Sequence, residues 1–263
     1  MSRFDFLLLM LKRIFMSGHS KWSKIKRKKG VSDVKRSKVF SKIIKEITVA
    51  VREGSSNDPN FNPRLRVAIA NAKGVNMPKD NVDRAIKKAS DADAAQLMEM
   101  NFEGYAPGGI ALFVECTTDN LNRTVSDIRS HFNKNGGNLA TNGSVEFLFD
   151  RKGIFTLPQG DLDEDDFTLE LIDAGAEDVE LDEGEFTITT AFEDFGKMQK
   201  YLEEKGLEAT STELQRIAKN PIEVSVESAE RVMRIIDIFE DDDDVQAVFH
   251  NMEMTDEIIE ALD

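Results

Sequence analysis

The sequence predicts an α+β protein of three domains, an N-terminal helical bundle followed by two ferredoxin-like α/β units, one inserted in the other. Three observations predict it. Apolar residues recur at helical spacing over residues 35–89. Beyond residue 101, short apolar runs alternate with helical patterns. The charge also changes sign: residues 16–90 hold 19 Lys and Arg against 6 Asp and Glu, whereas residues 91–263 hold 12 against 42. With 263 residues, 40% hydrophobic and 32% charged, the chain can bury enough apolar surface to fold as several small domains. The expected boundaries are 1–15 for an upstream extension, 16–90 for the basic helical domain, 91–150 with 213–263 for a discontinuous α/β domain, and 151–212 for the inserted one.

The elements follow in order. Residues 1–15 carry a short apolar stretch, Phe6 to Leu11, with neither a leading cationic region nor a small-residue cleavage site. Met16 directly precedes a polar, basic segment and reads as the functional start. Residues 17–34 form a basic arm, expected to stay extended until something binds it. Residues 35–53 predict a helix. Phe40, Ile43, Ile44, Ile47 and Val51 fall within about 100° of each other, and Lys35, Lys38, Lys42, Lys45 and Arg52 fall opposite. Gly54 suits the position after its end. A second helix is expected over 63–72, with Pro63 in its first turn and Gly74 beyond it, and a third over 79–89. Residues 91–101 read as a linker or a linking helix. Strands are then expected at 110–116 and 145–149 around a helix at 121–134. Residues 151–212 repeat the alternation as a strand at 153–157, a helix at 163–173, strands at 177–181 and 185–190, a helix at 192–204 and a strand at 207–212. This is the β-α-β-β-α-β order. A strand at 213–218, a helix at 228–240 and a strand at 245–249, joined to 110–149, give a second such order.

Several long motifs carry a resemblance: GHSKWSKIKRKKG (18–30), VNMPKDNVDRAIKKA (75–89), YAPGGIAL (105–112), TDNLNRTVSDIRSHFNKNGGNL (118–139) and DDVQAVFHN (243–251). They run in order over nearly all of residues 16–263, and the chain resembles the YebC family. That resemblance implies a fold of one helical and two α/β domains. It also implies a DNA-binding transcriptional regulator or, as in the mitochondrial activator of cytochrome oxidase subunit one translation, a factor acting on ribosomes. Residues 1–15 lie outside it.

The residues themselves point to a polyanion. Lys21, Lys24, Lys26, Arg27, Lys28 and Lys29 place six positive charges in nine residues, a density suited to phosphate neutralisation with counterion release. Trp22 lies inside this run and is placed either to stack on an unpaired base or to pack on the bundle. Lys35, Lys38, Lys42 and Lys45 would extend the basic surface along the first helix. Lys73, Lys79 and Arg84, around the loop between the second and third helices, would add backbone contacts. Such cations track phosphate without reading sequence.

No catalytic residue, metal ligand set or cofactor is expected. His19, His131 and His250 are far apart in the sequence, and no phosphate-binding GxxxxGK[ST] loop occurs. Pro107-Gly108-Gly109 reads as a tight turn. Asp241 to Asp244 read as a solvated acidic loop. One cysteine, Cys116, fits a reducing compartment and a buried apolar role. The expectation is a cytoplasmic, non-enzymatic regulator that binds DNA or ribosomal RNA, with the ribosome or the transcription machinery as its setting. Neither a membrane nor a small-molecule substrate is expected. A protein-interaction scaffold whose basic domain meets an acidic partner is the remaining class.

Overall fold

The computed structural model describes residues 33–54, 56–91 and 96–262. The expected upstream extension and the basic arm lie outside these residues. Helix α1 (Asp33–Glu53) leads into α2 (Pro63–Gly74) and α3 (Lys79–Ser90). Their apolar stripes meet in one cluster, in which Ile43, Ile47 and Val51 pack with Leu65, Ala68, Ala72, Val82, Ala85 and Ala89. Asn62 fixes the first corner. Its buried amide oxygen caps α2 by accepting from Leu65 N at 3.0 Å, while its nitrogen donates to the carbonyls of Ala50 and Ser56. Arg52 fixes the other corner by donating to the carbonyls of Ala89 and Asp91.

Two findings on α1 differ from the helical-wheel expectation. Ile44, placed inward by its spacing, lies at the rim of the stripe and is 37% exposed. Val49, on the face the wheel assigns to solvent and lysines, is only 2% exposed. An apolar residue sitting amid the lysines therefore reports a covered surface, and Lys42 and Lys45 on that side are half-buried.

The chain clusters into two compact units. Among the described residues, one holds Asp33–Lys38, Glu99–Asp150 and the chain from Ile217 onward; the other holds Val39–Met98 and Arg151–Arg216. The sheet of the first is ordered β3-β1-β2-β8, from β1 (Met98–Tyr105), β2 (Ala111–Thr118), β3 (Asn138–Leu139) and β8 (Val245–His250). Helices α4 (Leu121–Lys134) and α7 (Val226–Glu240) supply Ile128, Phe132, Val232, Ile236 and Phe239 to its core. The β1–β2 hairpin turns at Pro107–Gly109, where Gly108 and Gly109 take φ of 81° and 77°, a left-handed conformation that favours glycine. Cys116 is buried in β2.

In the second unit β4 (Phe149–Pro158), α5 (Glu164–Ala174), β5 (Ala176–Asp182), β6 (Glu185–Ala191), α6 (Phe195–Glu204) and β7 (Ser211–Ala218) follow the β-α-β-β-α-β order. Their sheet is ordered β5-β6-β4-β7. Phe155 pairs with Ile188 and Leu157 with Phe186, and these four side chains pack with Phe167, Leu171, Met198 and Leu202 of the helices.

Several expected elements are corrected. The linker at 91–101 is partly strand, since β1 begins at Met98. The strand at 145–149 is a 3-10 turn, Glu146–Leu148, leading into β4. The separate strands at 207–212 and 213–218 are one strand, β7. The first unit consequently lacks the expected β-α-β-β-α-β chain order. Its strands occupy the positions of that fold, but the place of the third is taken by β1, which precedes the others in the chain. The physical reason is that the segment at 145–149 is turned into a 3-10 connection to β4 and that at 213–218 is taken by β7 of the other sheet. Helix α8 (Asp256–Leu262), unanticipated, adds Ile258 and Ile259 to the first core.

The acidic loop before β8 is not simply solvated. Asp244 is 5% exposed, and its Oδ2 accepts from the Thr118 hydroxyl at 3.0 Å, the Thr124 hydroxyl at 2.8 Å and Arg123 at 2.7 Å. Asp242 meets His131 Nε2 at 3.0 Å. Asp244→Ala would remove the buried acceptor shared by two hydroxyls and a guanidinium. A loss of about 2–4 kcal/mol is expected from urea denaturation, and a loss below about 1 kcal/mol would show the loop to be merely decorative.

In the second unit, Lys205 and Tyr201 of and beside α6 donate to Glu170 of α5 at 2.7 and 2.8 Å, and hold its carboxyl below the usual glutamate range. A depressed carboxylate stabilises the fold above the ordinary carboxylate range and loses that contribution as pH falls through its lowered value. Unfolding free energy measured against pH should therefore drop less steeply below about pH 4.3 in Glu170→Gln than in the parent protein.

Candidate nucleic-acid interface

The residues expected to meet phosphate do not form one surface in the described part of the chain. Lys21, Trp22, Lys24, Lys26, Arg27, Lys28 and Lys29 lie outside the described residues, as does the side chain of Lys35. Lys38 binds the Asp241 carboxylate at 2.6 Å and the Asp241 carbonyl at 3.0 Å, both within the first unit. Lys42 and Lys45 are half-buried and engaged.

The loop after α2 has a structural task. The Asn71 amide oxygen accepts from Thr212 N of β7 at 3.0 Å, and the Lys73 ammonium lies 3.4 Å from Glu208. A Cβ built on Gly74 would stand 1.8 Å from the Thr210 carbonyl oxygen. The end of α2 thus packs backbone to backbone against the strand that closes the second sheet. Arg66 approaches Glu203 at 3.3 Å from the same helix, and Arg64 pairs with Glu53 at 2.6 Å.

Among the described residues, α3 gathers the largest group of exposed cations on one helix. Val82, Ala85 and Ala89 face the core, which turns Arg84, Lys87 and Lys88 outward, with exposed Lys79 at the helix start. The Arg84 guanidinium donates to the Asp80 carbonyl and to the Asn81 side chain, which holds it against the helix surface. Lys87 and Lys88 are not among the cations singled out from the sequence, since nothing in the helical pattern ranks them above the lysines of α1. Burial decides that ranking. Asp80 and Asp83 interleave with these cations. A shallow depression of about 450 Å³ beside α3, lined by Asn57, Asp83, Ile86, Lys87, Ser90 and Asp91, sets one lysine against two carboxylates and is no anion cradle.

Among the described residues no group of three or more His, Cys, Asp or Glu is arranged to hold a metal ion, and no helix is long and apolar enough to cross a membrane. The arrangement can do electrostatic work: it sets exposed cations on a helix of the same 16–90 segment whose sequence also holds the denser cationic run at 21–29.

An antiparallel α+β architecture behind a basic three-helix segment defines the class. The TACO1/YebC protein N-terminal domain model matches residues 20–92, and the TACO1/YebC second and third domain model matches residues 97–252. The chain belongs to the TACO1/YebC family. A relative from Amoebophilus asiaticus, called a probable transcriptional regulatory protein, is 54% identical over 240 residues, covering 90% of this chain and 98% of its own. One from Brachyspira hyodysenteriae with the same description is 51% identical, covering 93% of this chain and all of its own. The crystal structure of a conserved hypothetical protein from Aquifex aeolicus, 41% identical, superposes with a TM-score of 0.76 over 86% of this chain and 94% of that one.

Gly74→Ala tests the docking of α2. The added methyl group meets a backbone carbonyl rather than a flexible side-chain end, so a loss of about 1–3 kcal/mol in thermal denaturation is expected. Unchanged stability would show that the contact yields freely.

Proposed function

We propose that the protein is a non-enzymatic regulator of gene expression that binds nucleic acid through residues 17–90, acting as a DNA-binding transcriptional regulator in the cytoplasm. The observation that carries this reading is the concentration of cations in one segment, 19 Lys and Arg against 6 Asp and Glu over residues 16–90, in a chain whose net charge is −15. A polyanion binder needs such a local excess, because beyond about 8 Å charges are screened at physiological ionic strength. The relatives' names support a regulator. The division into a basic helical domain (16–90), a discontinuous α/β domain (91–150 with 213–263) and an inserted one (151–212) belongs to the same proposal.

A second reading is favoured by one feature of α3. Its cations alternate with Asp80 and Asp83, which suits phosphate tracking better than insertion into a major groove lined by phosphates on both sides. On this reading the target is ribosomal RNA and the protein is a translation factor that activates translation or relieves stalling.

Binding of the full chain to duplex DNA and to structured RNA, measured against salt concentration, tests both. Affinity should fall steeply with salt. Replacing Lys79, Arg84, Lys87 and Lys88 with alanine should flatten the log–log slope by about 3, and replacing Lys26, Arg27, Lys28 and Lys29 by a similar amount. Retention on promoter fragments over competitor DNA selects the transcriptional reading. Salt-sensitive co-sedimentation with ribosomes selects the other. A chain that binds neither nucleic acid at low salt would end the proposal.

A further inference from the structure

Helix α5 carries a feature that neither nucleic-acid reading uses. Its inward stripe, Phe167, Leu171 and Ala174, packs into the core of the second unit. On the opposite side Leu169 is 64% exposed and Ile172 52% exposed. Single exposed apolar residues are ordinary. These two are three residues apart and therefore adjacent on the helix surface. Asp165 and Asp173, both exposed, lie four residues to either side of Leu169, about 6 Å along the axis in each direction. The sequence around the helix sharpens the contrast: residues 153–196 contain 15 Asp and Glu and no Lys or Arg, and Lys205, which reaches the helix from outside this run, is engaged by Glu170.

We propose that the outward face of α5 is a docking site for a lysine- and arginine-rich amphipathic segment of another protein, with Leu169 and Ile172 as apolar anchors inside a carboxylate ring. This surface is distinct from the basic one and goes beyond the reading above. The occupant follows from charge complementarity. Nucleic acid is excluded from the face by like charge. A second copy of this chain meeting it face to face would oppose the same carboxylates. A small molecule has no concavity to enter, because the outer side of a surface helix is convex. A cationic helix with an apolar stripe satisfies both halves of the surface at once: its apolar side chains cover Leu169 and Ile172 while its cations reach Asp165 and Asp173.

Fluorescence anisotropy with two labelled synthetic peptides tests this on the full chain. Both carry lysine and arginine on one face of a helix; one has leucine on the other face, the second serine. At physiological salt the leucine peptide should bind about tenfold more tightly than the serine peptide, a difference of one decade in Kd. Leu169→Ser combined with Ile172→Ser should abolish that difference while leaving serine-peptide binding and thermal denaturation unchanged, as expected for exposed positions. Equal binding of the two peptides, or leucine-peptide affinity unchanged in the double variant, would overturn the proposal and reduce the face to a nonspecific polyelectrolyte. A dimer in sedimentation that the double variant dissolves would overturn it in favour of a second copy. None of these outcomes depends on whether the basic segment binds nucleic acid.

Discussion

The pairing of β2 with β8 is the contact on which the first unit depends. It runs antiparallel from Leu112 opposite His250 to Cys116 opposite Val245, joining segments separated by nearly half of the chain. Everything between them, including the whole of β4 to β7, must leave and return before the sheet can close. The entropy of closing so long a loop is offset by hydrophobic burial between the sheet, α4 and α7. The Asp244 carboxylate then seats the entry of β8 against the end of β2 and the first turn of α4. Thr117 N donates to the Asp244 carbonyl at 2.8 Å, so backbone and side chain of one residue hold the same corner.

The second unit is built more locally. Its four strands and two helices are consecutive in the chain, and the bundle joins the same compact unit by an unusually close approach at Gly74. A glycine and an amide side chain, Asn71, achieve this docking where a longer polar residue would hold the surfaces apart. The consequence reaches the basic surface. Lys73, lying between them, has Glu208 at hand though both side chains stay exposed, and α3 carries four further exposed cations.

Charge is sorted along the chain as strictly as hydrophobicity. Cations concentrate before residue 91, and carboxylates dominate after it. Because screening limits the reach of each charge to about a nanometre, the basic and the acidic segments act on their surroundings through their local charge rather than through the averaged net charge. Cations on α3 and carboxylates around Leu169 and Ile172 can therefore attract different partners.

Much of this was legible in the sequence. The 3.6-residue period located α1, α2 and α3 because each has a single apolar stripe. The alternation over 153–212 located the second sheet because its elements are contiguous, so local pattern and tertiary order coincide. The acidic and basic segments were equally plain. Tertiary structure decided the rest. The short apolar stretches at 145–149 and 213–218 carry no mark of which sheet takes them, since strand partners are chosen by long-range packing. Val49 and Asn71 look like ordinary members of polar faces until the surfaces that cover them are in place. The density of cations was settled by composition, but which of them remain exposed was settled by burial, a property that no residue possesses on its own.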